Sequence, residues 1–155
     1  MSMKAEFINP FLESIVNVLE TMAMVKVNAG KPQLKVEDTA AGDVTGLIGM
    51  ASSDIKGSLA ITFSSEAIFD VAKRMLGEEV HEINSTVTDL VGEITNMVTG
   101  GAKRLLEEIG YDFDMAIPAI VAGKNHHISH KSKGPKIIIP FSIDAGKFYV
   151  EICFE

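Results

Sequence analysis

Residues 56–63 read Lys-Gly-Ser-Leu-Ala-Ile-Thr-Phe, and residues 146–154 read Gly-Lys-Phe-Tyr-Val-Glu-Ile-Cys-Phe. Both are short, apolar and rich in β-formers, and each completes a hairpin. In the first hairpin, Val44–Ala51 and Gly57–Phe63 are joined by the turn cluster Ser52-Ser53-Asp54. The second joins Lys136–Asp144 to Lys147–Phe154 across Ala145-Gly146. A helix and a short strand precede each hairpin. Asn9 is a good N-cap and Pro10 fits the first helical position, so a first helix is expected from Pro10 to about Met24. Leu34–Glu37 then alternates as a short strand. A second long helix is expected over Ser85–Ile109, closed by Gly110, with possible strands at Met115–Val121 and Ile128–Lys131. Between the halves, Ser64-Ser65-Glu66 starts a helix over Ala67–Leu76 that Gly77 stops. The order predicts one α+β domain over residues 1–155: two pseudo-symmetric helix–strand–hairpin halves, with long helices packed on one antiparallel sheet.

Composition bounds the function. The chain has 155 residues, enough for one compact core. Its formal charge of −7 repels a phosphate backbone, which argues against nucleic-acid binding. No apolar run approaches bilayer-spanning length, and the N-terminal residues carry no secretory-signal pattern. The single cysteine, Cys153, excludes an intramolecular disulfide framework, so a reducing cytoplasm is the expected home.

The Ser85–Ile109 helix carries the most information. At 100° per residue, Val87, Leu90, Val91, Ile94, Met97, Val98, Leu105 and Ile109 share one broad side. Asp89, Glu93, Asn96 and Gly100 form a narrow line on the other. Like charges at i and i+4 destabilise a helix by a few tenths of a kcal/mol, and a helix built only for stability would place Lys after Glu. Gly100 and Gly101 each cost about 1 kcal/mol relative to Ala. Glycines there suit the close approach of another backbone. On periodicity alone, a solvated face of acids and amides is the plainer interpretation.

Asp89-x3-Glu93-x2-Asn96, followed by Pro118, resembles the signature of the CheC/CheX/FliY chemotaxis phosphatases. The 21 residues between Asn96 and Pro118 are one fewer than the family spacing. Chain length, the duplicated helix–strand–hairpin order and the Gly100-Gly101 step extend the resemblance over nearly the whole chain. The first helix offers only Glu13-x3-Asn17, which has the wrong spacing. A single intact copy is the CheX pattern, which implies a homodimer with two sites. Unpaired hairpin edges point the same way.

The resemblance implies hydrolysis of the aspartyl phosphate on a CheY-like response regulator. That partner would supply the phosphorylated Asp, a Lys and Mg²⁺, and this chain would bind no cofactor. Asn96 would enter the partner's site and orient the attacking water, since a carboxamide both accepts and donates. Glu93 would pair with the partner's Lys. Asp89 would assist docking from the rim, and Gly100 would let the partner come close.

Other groups have weaker claims. His126, His127 and His130 could ligate a metal, but no Cys or carboxylate stands near them in sequence, and a solvated loop or strand edge is favoured. Strand alternation would put His126 and His130 on one face and His127 on the other. His81 is isolated. Cys153 reads as a small core residue rather than a nucleophile, and Met22, Met24 and Met97 as core fillers. Phe141, Phe148, Tyr149 and Phe154 read as sheet packing. The rival functions are a non-catalytic ring-building domain resembling the middle domain of the flagellar switch protein FliM, and an adaptor that binds a regulator without hydrolysis.

Overall fold

The structure is a computed structural model that describes residues 5–130 and 134–155. Its elements run α1 (Ala5–Met22), β1 (Asn28–Ala29), β2 (Gln33–Leu34), β3 (Val44–Ala51), β4 (Lys56–Phe63) and α2 (Ser65–Leu76). Then come α3 (Ser85–Glu108), β5 (Asp114–Met115), β6 (Ala119–Ala122), β7 (Lys136–Ile143) and β8 (Gly146–Phe154). One antiparallel sheet holds the strands in the order β1-β7-β8-β4-β3-β5, with β2 also on β7 and β6 also on β3.

The two quoted segments lie side by side at the centre. β4 and β8 pair from Gly57↔Phe154 to Phe63↔Phe148. The expected duplication is present, with an exchange the sequence did not disclose. The short strands of the first half (β1, β2) pair with β7 of the second, while β5 and β6 of the second half pair with β3 of the first. The halves therefore complete each other's sheets.

Strand alternation sends one set of side chains toward the helices. Val44, Ile48, Leu59, Ile61, Phe63, Phe141, Phe148, Val150 and Ile152 are buried in one core with Phe11, Ile15 and Leu19 of α1 and Val91, Ile94 and Val98 of α3. Each such side chain removed from water contributes about 1.5–3 kcal/mol. The rings of Phe63, Phe148 and Phe141 stack in series at 5.5 and 5.0 Å. Two close approaches seat α3. A Cβ on Gly46 of β3 would strike Thr95, and one on Gly101 would strike Ser14 of α1. Ser14 Oγ donates to the Val98 carbonyl at 2.7 Å, tying the two helices together.

Several expectations need correction. α1 starts at Ala5, so Pro10 lies inside it rather than at its first position. Pro10 has no N–H for the carbonyl of Glu6, yet it is buried and the preceding turn still presents Phe7 to the core. Met22 and Met24 are not core fillers: they are 49% and 81% exposed, because the helix ends at Met22 and Met24 adopts a positive φ. Leu34–Glu37 contributes only Leu34 to a strand. Met115–Val121 is interrupted, since residues 116–118 bulge between Met115↔Met50 and Ala119↔Leu47. Ile128–Lys131 forms no strand over its described part. The neighbouring His127 makes one bridge, to Thr39, and Lys131 lies outside the described residues. The second hairpin turns through Asp144-Ala145, one residue earlier than expected.

Candidate functional site

Asn84 caps α3, its side chain accepting from the N–H of Val87 at 3.1 Å. The buried hydroxyls of Thr95 and Thr99 donate back to the carbonyls of Val91 and Thr95 at 2.7 and 2.9 Å. Two polar residues can therefore face the core without orphaned groups. With that side fixed, the opposite side must face out. Asp89, Glu93, Asn96 and Gly100 are all exposed, as their line predicts. Of the apolar side, Val87, Leu90, Val91, Ile94 and Val98 are buried, Met97 and Leu105 are half-buried, and Ile109, past the helix end, is 51% exposed.

The side chains of Asp89, Glu93 and Asn96 make no hydrogen bond or ion pair with any described residue. Some charged side chains elsewhere on the helices are engaged, Arg74 with Asp70 and Lys103 with Glu107 and Asp112. The line is thus a row of uncommitted donors and acceptors on a rigid, well-packed helix. Pro118 lies half-buried in the 116–118 bulge. Just beyond it, Ile120 packs 3.6 Å from where a Gly92 side chain would start, one turn below Asn96.

The two glycines differ. Gly101 is filled by α1, whereas nothing stands within 4 Å of a Cβ built on Gly100. Gly100 opens onto a groove of about 680 Å³ between α1 and α3, lined also by Leu12, Val16, Met97 and Leu105. Glu13 and Asn17, the incomplete motif of α1, form its far wall. Arg104 borders it, exposed and without a hydrogen bond or ion pair among the described residues. Sequence reasoning passed over Arg104, although it follows Gly100 by four residues and so extends the same line.

The histidines sit on the other side of the sheet. His127 is exposed, but His126 and the His130 side chain are buried, contrary to the solvated loop expected from sequence. His126 Nε2 lies 2.5 Å from Thr45 Oγ1, which shares a 2.8 Å hydrogen bond with Thr62, and His126 Nδ1 lies 2.7 Å from the Gly123 carbonyl. His130 Nδ1 lies 2.5 Å from Ser58 Oγ, and its Nε2 lies 3.1 Å from Glu151. Lys35 closes the chain at 2.6 Å from the other Glu151 oxygen. Burial pushes the Glu151 carboxyl up, but the hydrogen bonds from His130 and Lys35 more than offset this and hold it below its ordinary range. The one signal in sequence was Glu151 itself, a carboxylate between the apolar Val150 and Ile152. Among the described residues no group of three or more His, Cys, Asp or Glu is placed to hold a metal ion. Cys153 is buried with Sγ 3.3 Å from the Gly134 carbonyl, and burial raises its pKa, which does not suit a nucleophile. No described helix is long and apolar enough to cross a membrane.

An α+β domain of two interlocked halves that turns an acid–acid–amide line outward belongs to the CheC-like class. A CheC-like superfamily protein from Shewanella sp. PV-4 superposes with a TM-score of 0.93 at 58% identity, covering 99% of each chain. More narrowly, the chain belongs to the chemotaxis phosphatase CheX family, whose sequence profile matches residues 44–142. The CheY-P phosphatase CheX of Thermotoga maritima is 28% identical over 142 residues, 91% of this chain and 90% of that protein. CheX of Borrelia burgdorferi, solved in complex with CheY, BeF₃ and Mg²⁺, matches with a TM-score of 0.82 at 29% identity, covering 98% and 99% of the two chains.

Proposed function

We propose that this protein hydrolyses the aspartyl phosphate of a CheY-like response regulator in the cytoplasm. The observation that carries the reading is the exposed, uncommitted Glu93–Asn96 line on a rigid helix of a CheX-family chain. Water attacks phosphorus as the bond to the aspartyl oxygen breaks, giving inorganic phosphate and the free carboxylate. The regulator supplies the phosphoryl group, Mg²⁺ and a Lys, so this chain's part is positioning and electrostatics. The carboxamide oxygen of Asn96 accepts from the attacking water, and its NH₂ donates to a phosphoryl oxygen. Glu93, one turn earlier, pairs with the regulator's Lys and is desolvated on docking. Asp89 steers encounter from the rim, and Gly100 admits the partner's backbone. The active particle is a homodimer joined at sheet edges. The Thermotoga relative is a CheY-P phosphatase and the Borrelia relative binds CheY, which supports the choice of partner. The test is phosphate release from phosphorylated CheY-like regulators with and without this protein. Acceleration of at least one regulator is expected. No acceleration of any would leave a binding domain without catalysis.

A further inference from the structure

The groove between α1 and α3 is not absorbed by the positioning of water. Gly100 belongs both to the Asp89–Asn96 line and to the groove, and Arg104 lies about 12 Å along the helix axis from Asn96 at 1.5 Å per residue. A specific protein–protein contact covers about 800 Å² on each partner, a patch about 30 Å across. A partner centred on Asn96 therefore reaches Arg104 whether or not catalysis needs it. Of the chain's two arginines, Arg74 is held by Asp70, while Arg104 is uncommitted although Glu13 and Glu20 also line the groove. An unpaired guanidinium in a chain of net charge −7 suits a carboxylate from outside, which it can grip with two parallel N–H donors. The neighbouring walls, Leu12, Val16, Met97 and Leu105, suit an apolar side chain.

We propose that the α1–α3 groove is a second docking contact for the same response regulator, taking an apolar side chain of the regulator while Arg104 pairs with a carboxylate beside it. This rests on the phosphatase reading for the partner's identity. The contact lies away from the reacting atoms, so it binds ground state and transition state alike and acts on KM rather than kcat.

Two readouts test it: dephosphorylation kinetics, and affinity for the regulator activated by BeF₃⁻ and Mg²⁺, which needs no turnover. Arg104→Glu and the groove-filling Asn17→Trp should each raise KM and Kd about tenfold or more, with kcat within about twofold of wild type. Arg104→Lys, keeping the charge but not the fork, should fall between. Thermal melts should show all three variants folded, since both positions are exposed. Unchanged KM and Kd for Arg104→Glu and Asn17→Trp would overturn the groove contact, and the phosphatase reading would survive if Asn96→Ala were still inactive. Absence of turnover in the wild type would sink the phosphatase reading, and the affinity series would still decide the groove. If Arg104→Glu instead shifted the sedimentation of the protein alone, the groove would hold a second copy of the chain and the proposal would fall.

Discussion

Asn96, Glu93 and Asp89 share one helix face, yet their proposed distances from the chemistry differ, and so do the expected effects of removing them. Asn96→Ala should leave binding to the activated regulator nearly intact and slow dephosphorylation by about two orders of magnitude or more. Wild-type turnover by that variant would refute the assignment. Glu93→Ala should also weaken docking, because truncating one partner of a desolvated charge pair costs about 2–5 kcal/mol. Asp89→Ala should act modestly, through an association rate whose deficit fades as salt rises. On the other side of the sheet, Glu151 makes a prediction about stability. Its folded pKa lies below the ordinary value of 4.5, so it stabilises the fold above that value. The contribution is lost as pH falls through the lowered folded value. Glu151→Gln leaves Lys35 buried without its counter-charge and should destabilise at neutral pH by about 3–5 kcal/mol. It should also flatten the acid limb of a denaturation-versus-pH curve below about pH 4.5; an acid limb as steep as wild type would show that other carboxylates set it. The exposed line was legible from 3.6-residue periodicity alone. The buried relay was not, because Lys35, Ser58, His130 and Glu151 come from four distant segments that meet only in the folded sheet.

Along α3 the adjacent glycines separate docking from packing. Gly100→Ala meets no atom and should stabilise the protein by about 1 kcal/mol through helix propensity. It should nevertheless weaken regulator binding, because its methyl stands where the partner's backbone is proposed to pass. Gly101→Ala gains the same propensity but displaces Ser14 Oγ from the Val98 carbonyl, so it should be about 1–3 kcal/mol less stable than Gly100→Ala. Equal melting temperatures for the two variants would contradict the packing account. The boundaries of α2 could be read because Ser64 and Gly77 use their ordinary capping chemistry, and α3 begins at Ser85 as expected, with its cap supplied by Asn84. Those of α1 could not, because Pro10 serves equally well at a first helical position and, as found, inside a helix whose preceding turn is held by tertiary packing of Phe7. The β5–β6 break escaped notice for a similar reason. A bulge is set by pairing with β3, which the sequence of 115–121 does not contain.

The interlocked halves leave the whole molecule with two short edges. β1 and β2 supply two residues each on one side, while β6 supplies four on the other. Beyond them the sheet has no further partner among the described residues, so outward N–H and C=O groups can pair with another chain. Both edges carry exposed apolar side chains, Val36 at 95% and Leu34 at 72% near β2, and Ile117 at 90% beside β6. A two-fold contact through the longer edge, β6, would continue the sheet antiparallel into a second copy and give two Asn96 lines per particle. The protein should therefore sediment as a dimer at micromolar concentration, with a melting temperature that rises with protein concentration. Ile117→Lys should shift it toward monomer, because a charge beside the pairing strand opposes edge association, while Val36→Lys should not. A shift caused by Val36→Lys alone would move the contact to the β2 edge. A monomer under these conditions, with a concentration-independent melt, would refute the dimer and leave one catalytic line per particle.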